Sequence, residues 1–283
     1  MSNLAKRILF AVVAIPVVIG IIWVGGWVLA AALAVLGALG AGEVYGLARR
    51  QGIEPLAPAG LAAALAIPLV AHWARGHAAD PGAAWSLGVL WLLAVPALAM
   101  RRGPTARPLA ASAITVFGAL YASGTLAFVL LLRHPSAGPA GDLPRTALVL
   151  FPMVVTWLCD TAAMGAGRAV GGPRLAPVLS PHKTWAGAIG GAAAALVVAV
   201  ALGTLVLHPL GWALPLPVLV SVGLAVGVLG QLGDVAESLF KREAGVKDSS
   251  TLIPGHGGVL DRLDSLYYVI PVSAVLLAAF GAI

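Results

Sequence analysis

Charge is scarce in this chain. Of its 283 residues, 10% are Asp, Glu, Lys or Arg, where a soluble domain carries roughly a quarter. With 60% hydrophobic residues spread along most of the length, a soluble globular domain is excluded. Disorder is excluded too, since it needs low hydrophobicity and high net charge. Cysteine is all but missing: Cys159 stands alone, which rules out an internal disulfide framework and a cysteine-rich zinc site. Acidic residues number 11 against 17 basic ones, a formal net charge of +6. The basic residues do not gather on one soluble face, so no nucleic-acid partner is expected. No convincing internal repeat is present, and an inverted-repeat transporter gains no support. An all-α, polytopic integral membrane protein is left, in which each charge inside or beside a span asks for a reason.

Apolar runs are abundant. A spanning helix needs about 20 mostly apolar residues, and about nine such spans are read, at 7–24, 27–48, 57–74, 83–100, 109–132, 145–164, 184–208, 213–236 and 264–283. Gly25-Gly26, Pro81-Gly82 and Pro139-Ala140-Gly141 punctuate them. The stretch 165–183 is too polar to cross. The first run follows Lys6-Arg7 but is too long for a signal-peptide core, so an uncleaved helix is expected. Counting Lys and Arg by alternate loops puts fourteen on one side and three, Arg75, Arg133 and Arg145, on the other. By the positive-inside rule the N-terminus and the loops 165–183 and 237–263 face the cytoplasm, in the cell's inner membrane. Gly42/Gly46, Gly187/Gly191 and Gly223/Gly227 are GxxxG pairs expected to allow close helix packing.

Seven of the 11 acidic residues lie at or after Asp160. Residues 1–144 are therefore expected to supply a lipid-facing wall or cavity, and 145–283 the chemistry. Three clusters carry it. The first is Asp160-Thr161 followed by the glycine-rich stretch with Arg168 and Arg174. The second is Ser180-Pro181-His182-Lys183-Thr184-Trp185, opening the seventh span, where Ser180 and Thr184 are candidate caps or ligand hydroxyls and Lys183 adds charge to an anion-binding helix start. The third runs from Asp234 to Asp264. Asp234, Glu237, Ser238 and Lys241 share one helical face. Arg242, Lys247 and Asp248 follow, then the turn Pro254-Gly255-His256-Gly257-Gly258. Asp261 and Asp264, three apart, are expected on one face as the ninth span begins. Carboxylates beside cations around a glycine-rich turn suit a metal-bound polyphosphate, because Mg²⁺ takes one or two carboxylates plus phosphate oxygens. Phosphoryl or nucleotidyl transfer is the matching chemistry. Glu43 falls inside the second span, where it either lines a cavity or pairs with a basic residue.

The third cluster, Ser238-x-x-Lys241-Arg242, Lys247-Asp248 and Pro254-Gly255-His256-Gly257-Gly258-x-x-Asp261-Arg262-x-Asp264, resembles the signature of phosphatidate cytidylyltransferases, without departure at its fixed positions. Asp160-Thr161, Gly167-Arg168 and Ser180 to Trp185 are similar to the same family's earlier motifs, so the resemblance covers about 160–264. Ala162 stands where the family often has Gly, and Ala186 where an acidic residue often follows the Trp; the latter weakens any metal or capping role there. The resemblance implies transfer of the cytidylyl group of CTP to phosphatidic acid, giving CDP-diacylglycerol and pyrophosphate. On it Asp234, Asp261 and Asp264 are expected to hold Mg²⁺, alone or with a second cation. Lys241 joins them as a catalytic residue and, with Arg242 and Lys247, meets the CTP phosphates. Ser180, Lys183 and Thr184 position a phosphate substrate and His256 orients a ligand. Asp160, Arg168, Ser238, Asp248, Gly257, Gly258 and Arg262 complete the expected substrate contacts. A homodimer is expected from the resemblance alone. The runner-up is a CTP-dependent polyprenol or phytol kinase. A CDP-alcohol phosphotransferase is disfavoured because its spaced motif is absent, and a transporter because the polar groups crowd one membrane edge.

Overall fold

Helices make up most of the described residues, in the places the apolar runs predict. The computed structural model describes residues 3–76, 81–253 and 257–283. Its helices are α1 (Asn3–Val24), α2 (Gly26–Arg50), α3 (Ala57–Gly76), α4 (Pro81–Ala99), α5 (Pro108–Arg133, with a wide π turn at Leu120–Gly124), α6 (Asp142–Val170), α7 (Trp185–Leu207), α8 (Leu216–Glu243), the single turn α9 (Leu260–Leu263) and α10 (Leu266–Ala279). Seven of them, α2 to α8, are long and apolar enough to cross a membrane; two further apolar segments, Val12–Val24 and Leu266–Ala279, are shorter. The protein is an all-α, multi-pass membrane protein. Gly25 and Gly26, at φ +64° and +52°, make the break between α1 and α2 that a β-carbon would strain.

The chain divides into two units. The first comprises 1–130 and 240–262, the second 131–239 and 263–283. In the first, Tyr45 of α2 is fully buried and sits where β-carbons at Gly60 and Gly118 would stand. Its hydroxyl donates to the Thr115 carbonyl at 2.7 Å, and the Thr115 hydroxyl accepts from the Leu56 N–H at 2.8 Å. Ser123, in the π turn, donates to the Ala64 carbonyl and lies where a side chain on Gly37 would be. Buried polar atoms are thus spent on joining helices, as an apolar solvent demands.

In the second unit α7 lies against α6 and α8 with backbones nearly touching. A β-carbon on Gly191 would come 2.8 Å from Ala163 Cβ, and one on Gly187 2.7 Å from the Ala163 carbonyl. Across the other face, β-carbons on Gly223 and Gly227 would come 2.9 and 2.8 Å from the Cα atoms of Leu196 and Ala192. These two GxxxG pairs are packing seams. The third is not: Gly46 faces open space and Gly42 only an ordinary contact with Leu61.

Two stretches expected as loops are partly regular. The glycines of 165–183 lie in a helix up to Val170, because Gly167 faces Thr184 and a β-carbon there would be 3.0 Å from its hydroxyl. The rest is a β-hairpin, β1 (Arg174–Ala176) with β2 (Ser180–Thr184), antiparallel with Arg174 opposite Thr184. Residues 237–243 continue α8. Asp261 and Asp264 do not share one helix face. The Asp264 carboxylate accepts from the Ser265 N–H at 2.6 Å, a local bond that competes with the helix and separates α9 from α10.

Gly227→Val is expected to lower the thermal midpoint in detergent sharply, since the facing atom is backbone and overpacking costs about 1–3 kcal/mol. Gly46→Ala should be neutral or stabilising. A wild-type midpoint for Gly227→Val would show that the α7–α8 seam is looser than the structure has it.

Candidate active site

Charged side chains that the clusters single out meet in a cavity of about 810 Å³ in the second unit. Its walls are the C-terminal half of α6, the β-hairpin, the start of α7 and the C-terminal half of α8. The glycine seam brings these elements together: Gly167 and Gly187 line the cavity where α6 meets α7. Thr184 caps α7, its hydroxyl accepting from the Gly187 N–H at 3.1 Å. The cap fixes the first turn of α7 and, through β2, the Lys183 beside it.

Lys183 Nζ lies 2.6 Å from Asp234 Oδ2, and both are partly exposed to the cavity. Asp160, one wall away, is within electrostatic reach of both Asp234 and Lys183. Arg168, Arg174 and His182 complete the charged lining. Gln231, one turn before Asp234, donates to the carbonyls of Ala188 (3.0 Å) and Gly227 (2.6 Å), pinning α8 to α7 beside the ion pair. Three fixed cations and two carboxylates around one hollow offer charge-assisted contacts to a polyphosphate. The pair Asp160 and Asp234 also fits Mg²⁺, whose ligands at nucleotide sites are one or two carboxylates with substrate oxygens. Among the described residues no group of three or more His, Cys, Asp or Glu side chains is arranged to hold a metal ion.

The cavity gathers Asp160, Arg168, Lys183, Thr184 and Asp234 from the expected residues; Ser180, in β2, is not part of its lining. Ser238 is half-buried one turn beyond Asp234 on α8. Asp264, in the same unit, has its carbonyl against Gly233, where a β-carbon would come within 2.5 Å. Arg174, His182 and Gln231 add to the lining. Gln231 had a signal: a lone amide in an apolar span three residues before an Asp.

The remaining motif residues form a second arrangement, in the first unit. Lys241 Nζ lies 2.6 Å from Asp261 Oδ1. Asp261 Oδ2 accepts from the Ser249 N–H (2.9 Å), the Ser249 hydroxyl (2.7 Å) and the Gly258 N–H (2.8 Å). Burial alone would raise the Asp261 pKa, but the Lys241 ammonium and these donors outweigh it and hold the carboxyl at about 2. The Ile253 N–H donates to the Gly257 carbonyl at 2.8 Å and closes the turn. Gly257, at φ +80°, has Asp261 Oδ2 within 2.6 Å of where a β-carbon would be, and a β-carbon on Gly258 would overlap the Ser249 hydroxyl and the Glu43 carboxylate. Gly257 and Gly258 are therefore required by the carboxylates packed on them. Arg242, Lys247, Asp248 and Arg262 are exposed, and Arg242 donates to the Val246 carbonyl at 3.1 Å. His256 lies outside the described residues. The three expected metal carboxylates divide between the units, Asp261 in the first and Asp234 and Asp264 in the second.

A family model described as the cytidylyltransferase family matches residues 5–280. A phosphatidate cytidylyltransferase of Brucella suis biovar 1 (strain 1330) is 46% identical over 167 residues, 59% of this chain and 56% of that protein. One of Staphylococcus aureus (strain COL) is 43% identical over 129 residues, 46% of this chain and 48% of that protein. The match spans about half the length of these curated relatives.

Gly258→Ala is expected to open the turn, because a methyl group there has only carboxylate and hydroxyl oxygens to displace. Limited proteolysis between residues 244 and 258 should be several-fold faster than in the wild type. Equal rates would mean that the turn adapts to a methyl group at Gly258.

Proposed function

The chain belongs to the cytidylyltransferase family, and from that premise we propose that it transfers the cytidylyl group of CTP to phosphatidic acid, releasing pyrophosphate and leaving CDP-diacylglycerol in the membrane for phospholipid synthesis. The observation that carries this reading is the cavity in which Lys183, Arg168 and Arg174 face Asp160 and Asp234 at the end of apolar helices. A triphosphate needs cations, and a lipid phosphate needs a site that the bilayer can reach; a charged hollow walled by apolar helices supports both. The names of the curated relatives agree with it.

In the proposed reaction a phosphate oxygen of phosphatidic acid attacks the α-phosphorus of CTP in line. The bond to the β-phosphate bridging oxygen breaks, and pyrophosphate leaves with its electron pair. The nucleophile is already an anion, so no strong general base is required. Arg168, Arg174 and Lys183 bind the triphosphate and offset charge that builds on the leaving pyrophosphate. Mg²⁺, when bound, would neutralise phosphate charge, with Asp160 and Asp234 as its carboxylates. Asp261 and Asp264 are each proposed as cation-binding carboxylates on the motif alone. On the same ground Lys241, Arg242 and Lys247 are proposed as phosphate contacts. The excess of Lys and Arg on alternate loops supports a cytoplasmic site in the inner membrane, the side from which CTP arrives. A homodimer is proposed on the resemblance alone.

The test is purified protein in mixed micelles with Mg²⁺, phosphatidic acid and CTP labelled at the α- or γ-phosphate. Label from the α-phosphate should enter the lipid phase with equimolar pyrophosphate and be lost with EDTA. Asp234→Asn and Lys183→Met should each lower turnover by ~100-fold or more while the protein stays folded. Label from the γ-phosphate on a polyprenol, with CDP released, would replace this reading with the kinase one.

A further inference from the structure

A buried carboxylate of the first unit has no task in the motif or in the proposed chemistry. Glu43 lies in α2, 8% exposed and surrounded by apolar sequence. A carboxylate buried there is costly unless its oxygens are satisfied. Of the two readings the sequence left open, pairing with a basic residue is not seen among the described residues. Glu43 accepts four hydrogen bonds from neutral donors instead. Oε2 accepts from the Ser249 hydroxyl (2.9 Å) and the Leu260 N–H (2.8 Å); Oε1 accepts from the Ser250 hydroxyl (2.7 Å) and the Val259 N–H (2.9 Å). Each oxygen thus takes one hydroxyl and one backbone N–H, all from a stretch more than 200 residues downstream. The Gly258 backbone lies against the same carboxylate with no room for a side chain.

The Ser249 hydroxyl reaches both Glu43 Oε2 and Asp261 Oδ2, at 2.9 and 2.7 Å. It has one proton, so the two carboxylates share a single donor. Asp261 in turn holds the Lys241 ammonium. A line of contacts therefore runs from a membrane helix, through Ser249, to the two motif residues for which a role with phosphate or cation is proposed.

We propose that Glu43 is a positioning residue for the cytidylyl transfer, clamping Ser249, Ser250, Val259 and Leu260 to α2 so that Asp261 and Lys241 keep one geometry. The inference rests on the transfer reading given above. Only a carboxylate suits the position: four donors need four lone-pair sites, and a Gln would turn an NH₂ group toward the Val259 or the Leu260 N–H. Glu43→Gln, near-isosteric, is therefore disruptive here, and Glu43→Asp falls one methylene short.

The experiment compares wild type with Glu43→Gln and Ser250→Ala in micelles, measuring kcat and KM for CTP per folded molecule. A second readout needs no activity. Leu252→Cys places a thiol at a half-exposed loop position, and the one native thiol, Cys159, is buried, so maleimide labelling reports on the loop. Glu43→Gln should lower kcat by about 10–100-fold with a much smaller change in KM, as misplacement of catalytic groups does. It should also speed labelling of Leu252→Cys. Should Glu43→Gln fail to fold, Ser250→Ala decides, since it removes a Glu43 bond, leaves the Ser249 bonds to Asp261 in place and should still lower kcat several-fold. A wild-type kcat per folded molecule in the folded variants would overturn the proposal and leave Glu43 a purely structural residue. Absence of CDP-lipid formation by the wild type would instead fail the transfer reading, and unchanged labelling would fail the clamp itself.

Discussion

The second unit depends on three helices being allowed to touch. Between helices in lipid there is little hydrophobic gain, and association comes from close packing and polar contacts. Gly187 and Gly191 give α7 that approach to α6, and Gly223 and Gly227 give α8 that approach to α7. Lys183 precedes the first seam and Asp234 follows the second, so the ion pair at the cavity is a by-product of backbone distance. A wider spacing would leave the same charges on the same helices, out of reach of each other.

Carboxylates are treated in two ways. Asp234 and Asp261 each carry a lysine at 2.6 Å, the contact expected of groups that meet cations, and Asp261 is fastened on its other oxygen by Ser249 and Gly258. Glu43 is held by neutral donors. An ammonium can leave a carboxylate when a ligand arrives, because the freed lysine gains the ligand's charge. Hydrogen bonds to backbone and hydroxyl groups have no such exchange partner. The first pattern suits a site and the second a fastening.

The apolar runs made the helices legible to within a few residues, including the short spans of α3 and α4, except at the C-terminal ends of α6 and α8, which run on to Val170 and Glu243. Charge patterning picked out Asp160, Lys183 and Asp234 before any geometry, because a charge near the end of an apolar span has few reasons to be there. Three things were hidden. The hairpin at 174–184 has strands of three and five residues, too short for an alternating pattern to register. Glycines at 165–167 looked like loop, because seam and loop use the same residue. The donors to Glu43 lie over 200 positions away, and no local rule connects a serine pair in a polar loop to an acid in a membrane helix.

The wide turn in α5 has a geometrical consequence. Thr115 and Ser123 both reach toward α2 and α3, the first through Tyr45 and Leu56 and the second through Ala64. In an unbroken α-helix two residues eight apart diverge by about 80°. A π turn holds an extra residue within one loop of the helix and takes back rotation of up to about 100°. The turn at Leu120–Gly124 therefore acts as a phase corrector, letting one rod keep a single side toward its neighbours along a length over which a regular helix would have turned away.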